Sequence, residues 1–586
     1  MRGWVIGGLF VVAGLAGGAL LLGPRLAGPA LRASVEMALD LVPAEARLRH
    51  GTLSYHPTTD RLVLDSLSFT VLDSAGRPVE VVAEGIEIDG ALPANLFSIV
   101  DARAYASNIR GIAPLPLAAR LAVRKLAVTS VGDTLAMADL EVLHPAARQF
   151  ASPPPQSLAD LQQIEASRVE DIVRGLLWQA MGTATVSVTA ADGREWMHLT
   201  QMQLGPYEGQ RLGTAEVASL MLRSEQSSLD ITNLSVERLD LAALVVPLGS
   251  RGAGAGAGLL RALSFEHAMF ARAAFVDATN SGSGSLGKLE VTGVRAAQAA
   301  SVSLSDIGIV TTNGTFRLAG VHLRNLDATR LQADLLAGAG ELSSGAVRLG
   351  EYEMRGLSVE LPSGGPVTVA RVLMNGLSYS EDVPTACKLL IEGLTIPVAS
   401  LGNEDARRPF IDMGYSDLVF DLSLDYAYDP VLRIVDLRKV ALGLKDGGTL
   451  TLAATIEGIA PDAFGGNPMS AMAAAADARL RAATLSFEDQ SLVRRGLDFA
   501  AKGWGLKPEQ ALAEIRTALE TSLKTARSNV TRNAVRSVIA FLNNPGRLVI
   551  QLDPAQPVGM EQIQTVAGET DMLASLLNLT VAAEKR

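Results

Sequence analysis

Residues 282–288, GSGSLGK, carry glycines and a lysine at the spacing of two phosphate-binding motifs, G-x-G-x-x-G and G-x-x-x-x-G-K. Both motifs work by wrapping backbone N–H groups around phosphate oxygens at a helix N-terminus. Leu289 stands where the second motif needs a Ser or Thr for magnesium, and the LEVTG that follows alternates like a strand. The stretch therefore reads as a Gly/Ser hairpin loop. Of the six histidines only His50 and His56 lie close in sequence, and no H-E-x-x-H pairing surrounds them; a metal site of that type is not indicated. Asp421, Asp425 and Asp429 share one face of a strand and could collect a cation. They lack the loop-borne ligands of a calcium site and read instead as a wet face that discourages edge pairing. The single cysteine, Cys387, excludes an intramolecular disulfide and any multi-cysteine metal centre, and reads as a small hydrophobe. No G-x-S-x-G nucleophile elbow occurs. Catalysis has no residue set to stand on, so an enzyme is not expected, and neither a cofactor nor a metal is called for.

What these residues sit on is mainly β. A fault in the stretch IEGLTI (391–396) gives the lead: Leu389 and Ile391 alternate, Leu394 and Ile396 alternate, but two residues, Glu392 and Gly393, separate the pairs. A strand with one dry face cannot absorb an extra residue without turning every later side chain over. The same slip recurs in RLVLDSLSFTV (61–71), VAEGIEI (82–88) and ITNLSVERLDL (231–241). It recurs again in VTGVRA (291), LSDIGI (304), LAGVHL (318), MRGLSV (354), MNGLSY (374) and LRKVAL (437). The spacing is irregular, so this is no fixed-period solenoid. The extra residue is often Gly or Asn, the residues that tolerate a left-handed backbone, and this is how a β-bulge looks in sequence. Bulges bend and twist strands, and many of them would curl a long antiparallel sheet. A meander is legible at Phe420–Leu422–Leu424–Tyr426–Tyr428, Val440–Leu442–Leu444 and Leu450–Leu452–Ala454–Ile456, with DP and KDGG as turns. One side of it is dry and the other wet, as in a sheet covered on one face.

Helices interrupt the strands. Helical spacing predicts insertions near 157–181, where Leu158, Leu161, Ile164, Val169, Ile172, Val173 and Leu176 form a stripe, and near 259–272, after a Gly/Ala linker at 249–258. Residues 461–586 read as a helix-rich α/β module: a helix from Pro508, another over 534–542, the strand GRLVIQL, and two short helices to finish. At the other end, residues 3–24 carry no charge, long enough for a membrane-spanning helix. Trp4, Val5, Ile6, Leu9, Phe10, Val11, Val12, Leu15, Leu20, Leu21 and Leu22 would form this anchor, within a segment 1–33. A cleaved signal peptide is the competing reading; the run exceeds the usual apolar region of one and no clean A-x-A site follows. Arg2 before the run and Arg25 and Arg32 after it place the body outside the cytoplasm only by a modest asymmetry. A net charge of −11 with no basic face argues against nucleic acid as a partner.

The anchor followed by degenerate β-repeats resembles the AsmA-like and DUF945-like envelope proteins of Gram-negative bacteria. The residues that carry the resemblance are ITNLSVERLDLAAL (231–244), MRGLSVEL (354–361), IEGLTI (391–396) and GGTLTLAATIEGI (447–459). It spans roughly residues 1–460. It implies a single-pass inner-membrane protein whose periplasmic body, residues 34–460, is a long curled antiparallel sheet with a groove-like apolar interior that binds or transfers phospholipid. On this reading Leu389, Ile391, Leu394, Ile396, Phe420, Leu422, Leu424, Leu450, Leu452 and Ile456 line the groove. Alternation alone does not separate an open groove from a closed core, and a closed core would suit a scaffold that binds other envelope proteins.

Overall fold

The computed structural model describes residues 48–72, 77–90, 114–148, 174–244, 254–277, 282–337, 346–360, 364–380, 383–464 and 476–585. The chain is mainly β with antiparallel pairing, and it divides into two compact units: residues 1–302 with 327–341, and residues 303–326 with 342–586. The division falls near 302; the boundary expected at 460 rests on the turn to helical patterning beyond it. The anchor residues 4–22 lie outside the described residues, and among the described helices none is long and apolar enough to cross a membrane.

In the first unit, strands Arg61–Leu72, Pro78–Asp89, Arg120–Ser130, Asp133–Leu143, Ala180–Thr189, Glu195–Leu204, Arg211–Arg223 and Ser227–Asp240 pair antiparallel in succession. The inward side chains of the earlier strands among them make a buried core. Leu62, Leu64, Leu67, Val81, Ala83, Ile86, Leu121, Val123, Leu126, Val128, Leu140 and Val142 are all buried in one cluster. Trp178 stacks on Tyr207 there at 4.4 Å and donates its indole N–H to the Gly205 carbonyl at 3.1 Å.

The slips of these strands lie in one row. Leu64 faces Ile86 and Ser66 faces Glu84, which leaves Asp65 opposite Gly85 at the point where alternation breaks. The row continues strand by strand through Arg124, Asp139, Ala184, Gln201, Ala218 and Asn233. Every second member is left-handed: Gly85, Asp139, Gln201 and Asn233 have φ of 62°, 52°, 50° and 53°. An extra residue in one strand alone would put it out of step with its neighbours. Here all the strands slip at the same level, so their pairing stays in register and the same face is dry on both sides of the row. A shorter second row passes Gly213, Arg238, Glu266 and Gly293, where Arg238 and Glu266 also form an ion pair at 2.9 Å. Left-handed backbone occurs as expected at Gly356, Gly376, Asp306 and Gly393, but not at Gly320, whose neighbour Ala319 occupies the row instead.

The second unit pairs Gly314–Asp327, Glu351–Glu360, Val367–Ser380, Val383–Pro397, Asp417–Asp429, Ile434–Leu444, Gly448–Glu457, Arg479–Asp489, Arg547–Leu552 and Thr580–Glu584. A slip row runs through Ala319, Gly356, Ala370 and Gly393. It stops at strand Asp417–Asp429, which carries no matching extra residue: Ile391 faces Leu422, Leu394 faces Phe420, and Glu392 and Gly393 together oppose Asp421. The Gly393 N–H, displaced from the ladder, donates to the Asp421 carboxylate at 2.8 Å. The fault in IEGLTI is a true bulge where a coordinated slip ends.

Several expectations are corrected. The helix near 259–272 is Gly254–Ala262, which takes in part of the supposed Gly/Ala linker, and Ser264–Phe270 is a strand. Of the insertion near 157–181, residues 157–173 lie outside the described residues, while Leu176–Trp178 and the start of Ala180–Thr189 are strand. Residues 461–586 do hold helices Leu492–Trp504, Pro508–Thr525 and Asn529–Asn543, but strand Arg479–Asp489 pairs directly with Gly448–Glu457, so the sheet runs through the expected boundary. The two short helices expected after strand Arg547–Leu552 are Met560–Val566 and Thr570–Leu576, and a further strand, Thr580–Glu584, follows them.

Candidate functional site

The motif-bearing residues resolve into structure. Gly282–Leu286 is a strand, not a hairpin loop. Gly284 faces Phe275, whose ring fills the place of a side chain: a Cβ on Gly284 would come within 2.0 Å of it. Lys288 pairs with Glu290 at 2.6 Å, so neither a phosphate cradle nor its lysine is assembled. Strand Asp417–Asp429 is paired on both sides, so its acids do not guard an edge. Asp421 accepts from Gly393, Asp425 lies 3.5 Å from Lys388 and 3.8 Å from Arg438, and Asp429 accepts the N–H groups of Val431 and Leu432 at 2.9 Å each. Among the described residues no group of His, Cys, Asp and Glu is placed to hold a metal ion.

What the second unit does assemble is a continuous apolar sheet face. One row runs Val321–Met354–Val372–Ile391–Leu422–Leu442–Leu450–Phe487–Leu548. Beside it runs Leu323–Tyr352–Met374–Leu389–Leu424–Val440–Leu452–Leu485–Ile550. Beyond the slip row, Leu394–Phe420–Leu444 and Ile396–Leu418 continue the same face, and Tyr428–Val435–Ile456 closes the other end. Register thus brings all ten residues expected to line a groove onto one side. Val372, Met374, Leu442, Phe487 and Leu548 belong to it as well; their alternation was the available signal.

The opposite side is ionic. Glu353 pairs with Arg371 at 2.7 Å and Arg355 at 2.8 Å, and Arg371 reaches Glu392 at 3.6 Å. Burial works upward on the Glu353 carboxyl but is outweighed by the two guanidinium groups, which hold it below the usual range. On the dry side the effect is reversed. Burial pushes the Tyr426 hydroxyl up to about 12, and burial with Asp425 nearby raises the Cys387 thiol. Tyr426 donates to the Pro384 carbonyl at 3.4 Å.

Among the described residues, this face is covered at its ends. Helix Asn529–Asn543 covers one end, its Phe541 edge-on to Phe487 at 6.1 Å and its Ser537 hydroxyl donating to the Val581 carbonyl at 2.7 Å. At a corner, Val398, Tyr415 and Leu418 make a small buried cluster. Between them, facing each other across two strands, Leu442 is 42% and Leu450 40% exposed. The remaining expected lining residues are half-buried, in contrast to the buried cluster on strands Arg61–Leu72 through Asp133–Leu143 of the first unit.

Two comparisons with known proteins bear on this part of the chain. A family model described only as "Uncharacterized protein" matches residues 441–584, which takes in strands Gly448–Glu457 and Arg479–Asp489 and the helices that cover them. No curated protein matches the chain.

Proposed function

We propose that the protein binds or transfers lipid acyl chains on the dry face of its second unit, as a single-pass inner-membrane protein with its body in the periplasm and a role in envelope lipid homeostasis. The observation that carries this reading is the exposure of Leu442 and Leu450 in the middle of an otherwise continuous apolar face. Adjacent exposed leucines within a continuous apolar face suit a site that an apolar partner covers, and ordered aliphatic rows match a flexible hydrocarbon chain better than they match a small polar ligand. The ionic opposite side gives the sheet one face for water and one for lipid. Neither a cofactor nor catalysis is part of the proposal, and the envelope placement rests on the resemblance of the repeats and the apolar N-terminal run to AsmA-like proteins. A scaffold that binds other envelope proteins is the alternative; the buried core of the first unit suits it.

The test is native mass spectrometry with lipid extraction on a chain lacking residues 1–33, beside the same chain carrying Leu442→Asp and Leu450→Asp. Both side chains already meet solvent, so the substitutions should leave the melting temperature nearly unchanged. Phospholipid retained by the parent and lost from the variant is the expected result. Equal lipid in both, or none in either, would move the assignment to the scaffold.

A further inference from the structure

The dry face of the second unit has two walls and a stop. Its floor is the pair of rows Ile391–Leu422–Leu442–Leu450–Phe487 and Leu389–Leu424–Val440–Leu452–Leu485, laid across five strands. One wall is the segment that follows strand Gly448–Glu457. The Ile459 N–H donates to the Arg433 carbonyl at 3.2 Å, and the Ile459 carbonyl accepts from the Tyr428 hydroxyl at 2.9 Å. The turn Pro461–Phe464 then sets the Phe464 ring 4.6 Å from that of Tyr428 and reaches strand Val383–Pro397. The segment thus crosses the strands at their Tyr428 end.

The other wall stands at the opposite end of the same strands. Val398, Tyr415 and Leu418 are buried there, with Ile396, Phe420 and Leu444 packed on them. Arg495 of helix Leu492–Trp504 lies over the Tyr415 ring at 4.6 Å, and the Tyr415 hydroxyl donates to the Asp446 carbonyl at 3.3 Å. These contacts carry the wall on to the turn before strand Gly448–Glu457. The stop is Phe541 of helix Asn529–Asn543. It is buried and edge-on to Phe487, the last residue of the first row.

These positions fix a direction. Walls at the two ends of the strands leave a chain held between them one course, across the strands and along the rows. From Val383–Pro397, which both walls reach, to Arg479–Asp489, where Phe487 meets Phe541, is four strand spacings, about 19 Å. Half the hydrocarbon core of a bilayer, the depth that one acyl chain fills, is about 15 Å. The floor therefore has the length of a single extended chain and not of two laid end to end.

We propose that the dry face is a blind-ended trough that measures one acyl-chain length. The chain lies across the strands with its methyl end against Phe487 and Phe541 and its carboxyl end over Leu389 and Ile391. Phe541 is then a specificity-determining residue, because it sets how long a chain the trough takes. This inference rests on the lipid reading of the face and adds to it a direction, a stop and a limit of length.

Two phosphatidylcholine probes test it on the full chain in detergent. One carries a diazirine at the methyl end of an acyl chain, the other beside the carboxyl; after irradiation the labelled peptides are identified by mass spectrometry, and those of residues 1–33 are read separately. The methyl-end probe should label the peptides of Phe487 and Phe541, and the carboxyl-end probe those of Leu389 and Ile391. A methyl-end probe of longer chain should leave strand Arg547–Leu552 unlabelled in the parent and label it in Phe541→Ala. Phe541→Leu, which keeps the helix seated with a smaller side chain, should show the same shift should Phe541→Ala fail to fold. If both probes label the same peptides, or the longer probe labels parent and variants alike, the direction and the stop fall while lipid on the dry face stands. No label on any of the five strands would remove the lipid reading itself, and this inference with it.

Discussion

Gly393 holds the end of the slip row at a φ of 63°, and a Cβ placed there would come within 3.0 Å of the Ala370 Cβ. Gly393→Ala therefore combines left-handed strain with a close contact that backbone must absorb, and should cost about 1–2 kcal/mol. Gly402→Ala is the matched control, since its Cβ would meet nothing within 4 Å; it should stay within about 0.5 kcal/mol of the parent. Chemical denaturation of the two variants side by side checks the pair, and equal stabilities would remove strain from the account of the bulge. Cys387, buried on the dry side with its thiol raised, should react with thiol reagents only after unfolding. Rapid labelling of the native chain would show that the strand opens locally. These residue-scale features were partly legible: a glycine between two apolar pairs announces the slip. What was hidden is that Asp421 catches the displaced N–H, because that bond joins positions 28 residues apart.

At the scale of elements, strands were read better than helices for a physical reason. Alternation with a slip is a two-sided pattern that only a sheet with one dry face requires, so the meander at 420–456 appears with its pairing as expected. The stretch 264–272, SFEHAMFAR, satisfies helical spacing equally well, but its neighbours decide: Phe265, His267 and Met269 pair with Val294, Thr292 and Glu290 of an adjacent strand. Tertiary pairing overrides local propensity there. The alignment of slips into rows was equally out of reach, since it depends on register and not on any one strand. A cap between helices carries a pH prediction. The Thr531 hydroxyl and the N–H groups of Arg527 and Ser528, at 2.9 and 3.2 Å, lower the Asp571 carboxyl from 3.8 to about 2. A carboxyl depressed on folding stabilises above its unfolded value and loses that contribution as pH falls through the folded one. The helical layer should therefore loosen between about pH 4 and 2. Asp571→Asn should remove that part of the acid transition seen by circular dichroism; an unchanged transition would assign the loss to other groups.

At the scale of the whole molecule, the two units use the same sheet-building rule to opposite ends. In strands Arg61–Leu72, Pro78–Asp89, Arg120–Ser130 and Asp133–Leu143 of the first, the inward rows are largely buried on both sides of the slip and each buried side chain contributes most of its transfer free energy, about 1.5–3 kcal/mol for a Leu, Ile or Val. In the second, the middle of the dry face keeps Leu442 and Leu450 well exposed, so part of that contribution is withheld until something apolar covers them. Local opening should then be easier in the second unit, because stability is spread according to buried apolar contact and not evenly along the chain. Native-state hydrogen exchange gives the measurement: amides of Pro78–Asp89 and Arg120–Ser130 should exchange more slowly than those of Ile434–Leu444 and Gly448–Glu457. Adding phospholipid should slow the second pair of strands and leave the first pair unchanged, since a ligand stabilises only the state and region it binds. If lipid protects both units alike, or neither, the exposed rows are not where it binds, and the half-open face is a feature of the sheet's geometry alone.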